Sequence, residues 1–216
     1  MRPAPEWIRR TLASASSSSS GARGLLGLAV AAVLCAAALP AEARVLMTQE
    51  AALAAAFPGK LPERRTAYLT EEQATALERL TGAPPPTRVI VYYVGAGADG
   101  APAVAWFDTH LVRTLPETVM ILSDAGAKVL RVDVLTFEEP IEYLPRPRWF
   151  EQFQGRALDD SLAPGRGIPA VTGATLSSRA VTGAVRRCLA LHAVLCAGGA
   201  CRPAPVPAPA PAEAAP

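Results

Sequence analysis

The sequence contains few of the residues on which metal and nucleic-acid sites depend. Histidine occurs only twice in 216 residues, as His110 and His192. The spacing of the cysteines matches neither a zinc site nor a haem-attachment motif, so the sequence predicts no metal site. With a formal net charge of +2, the chain is not basic enough to suggest nucleic-acid binding.

Recognisable catalytic arrangements are also missing from the sequence. No Ser-His-Asp, Cys-His or paired-carboxylate pattern stands out, and no glycine-rich nicotinamide fingerprint is present. The sequence therefore predicts no catalytic residue and leaves open whether the chain is an enzyme.

Long apolar runs are confined to the N-terminus. The run from Leu25 to Leu39 follows several arginines and precedes the small-residue sequence Ala41-Glu42-Ala43. It is short and alanine-rich for a bilayer of about 30 Å, so a cleaved signal peptide over residues 1–43 is favoured over an uncleaved anchor. The mature chain, beginning at Arg44, is expected in the periplasm, either free or associated with the membrane.

Export changes the interpretation of the cysteines, because disulfides persist outside the cytoplasm. Cys196 and Cys201 flank Ala-Gly-Gly-Ala, which is flexible enough for a disulfide to close a small loop. Cys188 falls on the apolar face of the last predicted helix and is expected to be buried.

The pattern of the mature chain predicts an α+β fold. Residues 44–84 read as an N-terminal helical segment, with helices starting after Thr48 and Thr70. Four β-branched runs follow, at residues 88–94, 103–107, 118–122 and 129–137, and predict an antiparallel meander in a sheet of about four to six strands. Helical spacing resumes after Ser178. One domain is thus expected over residues 85–201, followed by a disordered Pro/Ala tail over residues 202–216.

The stretch Thr172-Gly-Ala-Thr-Leu-Ser-Ser178 has the chemistry of a phosphate site. A helix start carries backbone N–H groups without intrahelical partners and a partial positive charge, and small residues let an anion approach closely. The hydroxyls either cap the helix or contact the phosphate. From the local residues alone, an ordinary helix cap at Thr175 or Ser178, with Gly173 as a turn residue, is the favoured interpretation.

The same stretch resembles the FMN-binding domain family, which includes the flavin-carrying subunits of sodium-translocating NADH:quinone reductases and Rnf complexes. In that family a Ser/Thr-Gly-Ala-Thr motif begins a helix, and its last threonine is joined to FMN through a phosphoester. The resemblance therefore implies FMN as cofactor and Thr175 as the attachment residue. It also implies an acidic, proline-containing loop beside the flavin, here with Glu139 and Tyr143.

The resemblance implies a set of cofactor-binding residues and two kinds of partner. The residues are Thr172, Gly173, Ala174, Thr175, Leu176, Ser177, Ser178, Glu139 and Tyr143. The partners are an FMN transferase, which must deliver FMN because a threonine hydroxyl is not ionised near neutral pH, and a membrane or periplasmic redox protein. The sequence departs from the family at Pro169, where the motif usually has an aspartate.

Two hypotheses of different classes follow from the sequence. The first is an exported FMN-carrying electron-transfer protein, with the flavin covalently attached at Thr175 or bound without a covalent bond in the same place. The second is a binding or assembly module that retains the fold without covalent flavin, which Pro169 and the Pro/Ala tail would suit.

Overall fold

The computed structural model describes residues 44–163 and 165–203. The predicted signal peptide and residues 204–216 of the predicted tail lie outside these residues. The described chain forms a six-stranded antiparallel sheet packed with four helices, which confirms the predicted α+β fold.

Six strands and four α-helices make up the described chain. The strands are β1 (Arg44–Val45), β2 (Glu63–Tyr68), β3 (Val89–Ala96), β4 (Pro102–Leu111), β5 (Pro116–Asp124) and β6 (Val129–Phe137). The helices are α1 (Gln49–Ala56), α2 (Glu71–Thr81), α3 (Pro147–Phe150) and α4 (Thr175–Leu195). Short 3-10 turns lie at Ile141–Tyr143, Glu151–Phe153 and Ala197–Gly199.

The sheet has the order β1-β6-β5-β4-β3-β2. Its four central members, β3 to β6, are the predicted meander. The segment 44–84, predicted to be helical, also supplies β1 and β2, so that prediction is corrected here. Strand β2 is a polar edge strand of sequence Glu-Arg-Arg-Thr-Ala-Tyr, and β1 has only two residues, so neither shows the apolar alternation that marks a strand.

The two faces of the sheet are covered by different helices. On one face α1 packs through Ala52, Leu53, Ala56 and Phe57 against alternate residues of β4 and β5, including Met120. On the other face α4 packs through its buried apolar side against Trp106, Val119 and Ile121. Because side chains alternate between the faces of a strand, one continuous meander supplies both cores.

Helix α2 extends the layer formed by α4. Thr70 caps α2, and the reciprocal bonds between Thr70 and Gln73 form a capping box. Leu77 of α2 and Ala190 of α4 belong to one buried cluster. No helix in the described ranges is long and apolar enough to cross a membrane.

A disulfide between Cys196 and Cys201 closes a short loop directly after α4. Arg65 of β2 donates to the carbonyl oxygens of Ala200 and Arg202, at 2.8 and 3.0 Å. Cys188 is a free, buried cysteine. The disulfide and Arg65 together fix the end of the described chain to the sheet edge formed by β2.

A row of charged side chains lies between α4 and the sheet. Arg187 of α4 donates two hydrogen bonds to Asp108 of β4, at 2.8 and 2.6 Å. His110 bridges Asp108 and Glu117, through Nδ1 at 2.8 Å and Nε2 at 3.2 Å. Within the described ranges, Oε1 of the fully buried Glu117 has no hydrogen-bond partner.

The pKa values in this row follow from burial and pairing. Burial raises the pKa of Asp108, but hydrogen bonds from Arg187 and His110 outweigh burial and lower it to about 2. Burial lowers the pKa of His110, but hydrogen bonds with Asp108 and Glu117 outweigh burial and raise it above its usual value. Burial raises the pKa of Glu117, against the opposing effect of His110.

The contact between α1 and the sheet depends on Gly95. A Cβ built on Gly95 would lie 2.6 Å from Cδ1 of Phe57 and 3.2 Å from Cβ of Pro62.

We expect Gly95→Ala to lower the free energy of unfolding by roughly 1–3 kcal/mol, since the buried Phe57 ring must move. Urea denaturation measures this loss. Gly126→Ala is the control, because its nearest neighbour would be 3.4 Å away; equal stability of the two variants would contradict the packing.

The ion pair between Asp108 and Arg187 predicts a pH-dependent stability difference. We expect Asp108→Asn to lower the free energy of unfolding at pH 7 by about 2 kcal/mol, less than for a fully buried pair because the Arg187 side chain is 34% exposed. The folded-state pKa of about 2 lies below the ordinary 3.8. The difference should therefore be complete above pH 3.8 and disappear as the pH falls through about 2.

Chemical denaturation of wild type and variant at pH 7, 4 and 2.5 tests this prediction. The control is Asp160→Asn, which removes an exposed carboxylate. A difference between wild type and Asp108→Asn that stays constant over this pH range would contradict the assignment.

Candidate functional site

A tight turn brings the chain into α4. The N–H of Ala174 donates to the carbonyl oxygen of Val171 at 3.0 Å. Gly173, the third residue of this turn, has φ +84°, and no atom lies within 4 Å of the position that a Cβ would take there. This is the geometry of a type II turn, in which the third position favours glycine. Gly173 therefore sets the direction of the chain and leaves space beside it.

The N-terminus of α4 is not capped by a side chain. Helix α4 begins at Thr175, and its N-cap residue is Ala174, which has no side-chain acceptor. The first intrahelical bond involving the cap runs from the N–H of Ser178 to the carbonyl of Ala174 at 2.9 Å. Among the described residues, the N–H groups of Thr175, Leu176 and Ser177 have no acceptor. Three donors and the positive end of a 21-residue helix are thus available at one point.

The hydroxyl groups of the motif have different environments. The Ser177 hydroxyl donates to the carbonyl of Tyr143 at 2.6 Å, and the Ser178 hydroxyl donates to the carbonyl of Ala174 at 2.8 Å. Both serines are 1% exposed. Thr175 is exposed, and its hydroxyl has a single long contact of 3.4 Å to the carbonyl of Val171. The serines therefore hold the local structure, while the Thr175 hydroxyl remains accessible.

The acidic loop after β6 lies opposite the helix start. Oε1 of Glu139 accepts hydrogen bonds from the N–H groups of Arg113, Thr114 and Leu115, at 3.2, 2.8 and 3.0 Å. The bonds from Thr114 and Leu115 are the main reason that the pKa of Glu139 lies below its usual value. The ionised Glu139 therefore holds the loop between β4 and β5 (residues 112–115) in place through these three hydrogen bonds.

These segments enclose a pocket of about 260 Å³. Its lining residues are Val112, Arg113, Glu139, Tyr143, Gly173, Ala174, Thr175, Leu176 and Ser177. The structure thus brings together all the site residues predicted from sequence except Thr172, which lies outside the pocket, and Ser178, which is buried behind it.

Val112 and Arg113 are pocket residues that the sequence analysis missed. They lie at the end of the β4–β5 hairpin, far from the motif in sequence, and only the antiparallel sheet brings them to α4. Arg113 is exposed and lies on the same loop that Glu139 holds. No local sequence signal distinguishes Arg113 from an ordinary surface arginine.

Two tryptophans and His192 have structural roles outside the pocket. Trp106 is 1% exposed and stacks on Tyr92, with ring centroids 5.0 Å apart. Trp149 packs edge-on against Phe153 and donates to the carbonyl of Pro169 at 2.8 Å. His192 hydrogen-bonds Ser123 in the core at 2.9 Å. Pro169 thus anchors the approach to the motif through its carbonyl oxygen.

The donors around this pocket suit a phosphate group. Three free N–H groups lie at one helix start, Gly173 leaves room for close approach, and Arg113 supplies a positive side chain. Tyr143 and Leu176, which are 40% and 48% exposed, add carbon surface for the rest of a ligand. A phosphorylated molecule with an extended apolar or aromatic part matches this combination.

Comparison with known proteins agrees with this chemistry. Residues 115–190 match the family model of the FMN-binding domain. Comparison with curated proteins and with solved structures gives no significant match. The matched segment contains Glu139, Tyr143 and the whole motif at the start of α4. The stretch from residue 115 to residue 190 therefore matches the FMN-binding domain family, and this match indicates FMN as the cofactor.

Proposed function

We propose that the protein is an exported electron-transfer protein whose FMN is held at the start of α4 and joined to Thr175 by a phosphoester. The observation that carries the proposal is the uncapped helix start at Thr175, which opens into a pocket lined mostly by residues of the segment that matches the FMN-binding domain family. The phosphate is the part of FMN that these donors suit.

The exposed hydroxyl of Thr175 is the group in the pocket that suits covalent attachment. In the proposed attachment, its Oγ would form a bond to the phosphorus of the FMN half of FAD, and the bond between the two FAD phosphates would break. AMP would leave with the bridging oxygen, and the hydroxyl proton would pass to a base. No histidine or lysine lines the pocket in the described chain. The proposal therefore assigns the base and the Mg²⁺ to a separate FMN transferase.

The residues of the chain then hold the attached group. The N–H groups of Thr175, Leu176 and Ser177 would donate to phosphate oxygens, and Tyr143 and Leu176 would contact the organic part. When bound, FMN supplies one- and two-electron chemistry that no amino-acid side chain provides. The pocket itself supplies binding and orientation.

The pocket suits an electron carrier better than a self-contained enzyme. Arg113 and Glu139 are the only charged residues among its lining residues in the described chain, and Oε1 of Glu139 accepts the backbone amides of residues 113–115. The pocket lining of the described chain contains no histidine, cysteine, lysine or aspartate that could serve as a general acid or base. The proposal therefore places electron donor and acceptor in separate membrane or periplasmic proteins. A covalent tether would retain FMN in an exported protein that cannot recruit a replacement.

Replacement of Thr175 tests the attachment. Co-expression of the full chain with an FMN transferase should give a yellow protein whose intact mass is increased by FMN less one water. We expect Thr175→Val to lose this added mass completely, because no oxygen remains to attack the phosphorus, and Thr175→Ser to retain part of it. Intact-mass spectrometry and the visible spectrum measure both.

Thr75→Val is the matched control for this experiment. The Thr75 hydroxyl donates to the carbonyl of Glu71, four residues earlier, as the Thr175 hydroxyl does to that of Val171. The control should remain fully modified. A wild-type chain that stays colourless, unmodified and unable to bind FMN would refute the proposed function and favour an assembly module without flavin.

A further inference from the structure

The pocket contains one cationic residue whose role the family match leaves open. Arg113 lies just before the matched segment, residues 115–190, yet it lines the pocket with Thr175. Among the described residues, its guanidinium forms no hydrogen bond or ion pair. An arginine with free donors beside a phosphate site can bind two phosphate oxygens at once.

The position of Arg113 is set by Glu139. The backbone amides of residues 113–115 converge on Oε1 of Glu139, and the Thr114 hydroxyl lies 3.4 Å from the same atom. Glu139 is only 8% exposed, so these bonds are partly shielded from water. Oε1 of Glu139 is therefore directed to the loop, and among the described residues no hydrogen bond or ion pair engages the Arg113 side chain.

The opposite wall is held by an independent contact. The hydrogen bond from Ser177 to the carbonyl of Tyr143 ties the start of α4 to the segment that follows Glu139. The loop with Arg113 and the helix with Thr175 are thus both fixed to the chain between residues 139 and 143. The spacing between the guanidinium-bearing loop and the free helix amides is held by Glu139 on one side and Ser177 on the other.

We propose that Arg113 makes the pocket selective for a phosphorylated flavin over an unphosphorylated one, and that Glu139 is the positioning residue for Arg113. This inference rests on the proposed function, because it concerns the same pocket. The helix amides and Arg113 approach the phosphate from two walls, so the amides alone give only part of the discrimination.

Reversible binding of two flavins tests the role of Arg113. The full chain produced without an FMN transferase is titrated with FMN and with riboflavin, and flavin fluorescence gives both dissociation constants. We expect Arg113→Gln to weaken FMN binding about tenfold or more while leaving riboflavin binding unchanged, since riboflavin has no phosphate. Arg113→Lys should restore part of the affinity for FMN.

The matched control for this titration is Arg64→Gln. It removes the same charge from an exposed position on edge strand β2, away from the pocket. The ratio of the two dissociation constants should stay at its wild-type value in this control. A preference for FMN that falls equally in Arg64→Gln and Arg113→Gln would show a general effect of net charge and overturn the assignment.

Glu139 is tested by two variants that differ in their acceptor. Glu139→Gln keeps an oxygen that can accept the three amide bonds, and Glu139→Ala removes it. Glu139→Ala should therefore lower the preference for FMN and speed hydrogen exchange at residues 113–115, and Glu139→Gln should retain more of the wild-type behaviour in both measurements. Tighter FMN binding by both variants would instead show that Glu139 repels the phosphate directly, which would overturn its positioning role.

The outcomes for wild type and variant separate the two proposals. Failure of wild-type protein to bind FMN would overturn the proposed function. Wild-type binding of FMN, with an unchanged FMN-to-riboflavin ratio in a folded Arg113→Gln variant, would overturn only the role of Arg113. A circular dichroism spectrum and a thermal melt establish that each variant is folded.

Discussion

The unsatisfied start of α4 is the physical constraint on which the site depends. A helix must leave its first N–H groups without intrahelical acceptors, and here neither a side-chain cap nor any described neighbour binds those of Thr175, Leu176 and Ser177. Gly173 makes this possible, because its φ of +84° turns the chain without placing a side chain over the amides. The partial positive charge of α4 therefore remains available for an anion, which in the proposed function is the FMN phosphate.

The rest of the fold holds that helix end against two other walls. Apolar residues of α4 pack on the sheet, and Arg187 of the same helix forms an ion pair with Asp108 of β4. The same strands lead to the loop held by Glu139, so the hairpin β4–β5 links the core to the pocket. The core contacts that hold α4 on the sheet therefore also set the distance between the amides at the start of α4 and the loop that carries Arg113. The elements that form the core therefore also hold the walls of the proposed cofactor pocket.

Sequence alone was sufficient for the parts of the structure that depend on local chemistry. Gly173 to Ser177 are contiguous, so their helix-start chemistry is visible, and the strands β3 to β6 carry apolar runs long enough to recognise. Strand β2 was missed because an exposed edge strand needs little apolar surface. Arg113 was missed because strand pairing, rather than neighbouring residues, brings it to the pocket. The separate roles of the Ser177 and Thr175 hydroxyls depend on which of them is buried, which the motif does not specify.

The most direct test of this account is an NMR titration of the uniformly 15N-labelled chain with FMN. Hydrogen bonds to a phosphate should move the amide proton resonances of Thr175, Leu176 and Ser177 strongly downfield, because these donors lack acceptors in the described chain. Riboflavin, which lacks the phosphate, should leave these three resonances nearly in place. Large FMN-induced shifts elsewhere, with the three amides unchanged, would contradict the central claim that the start of α4 holds the cofactor.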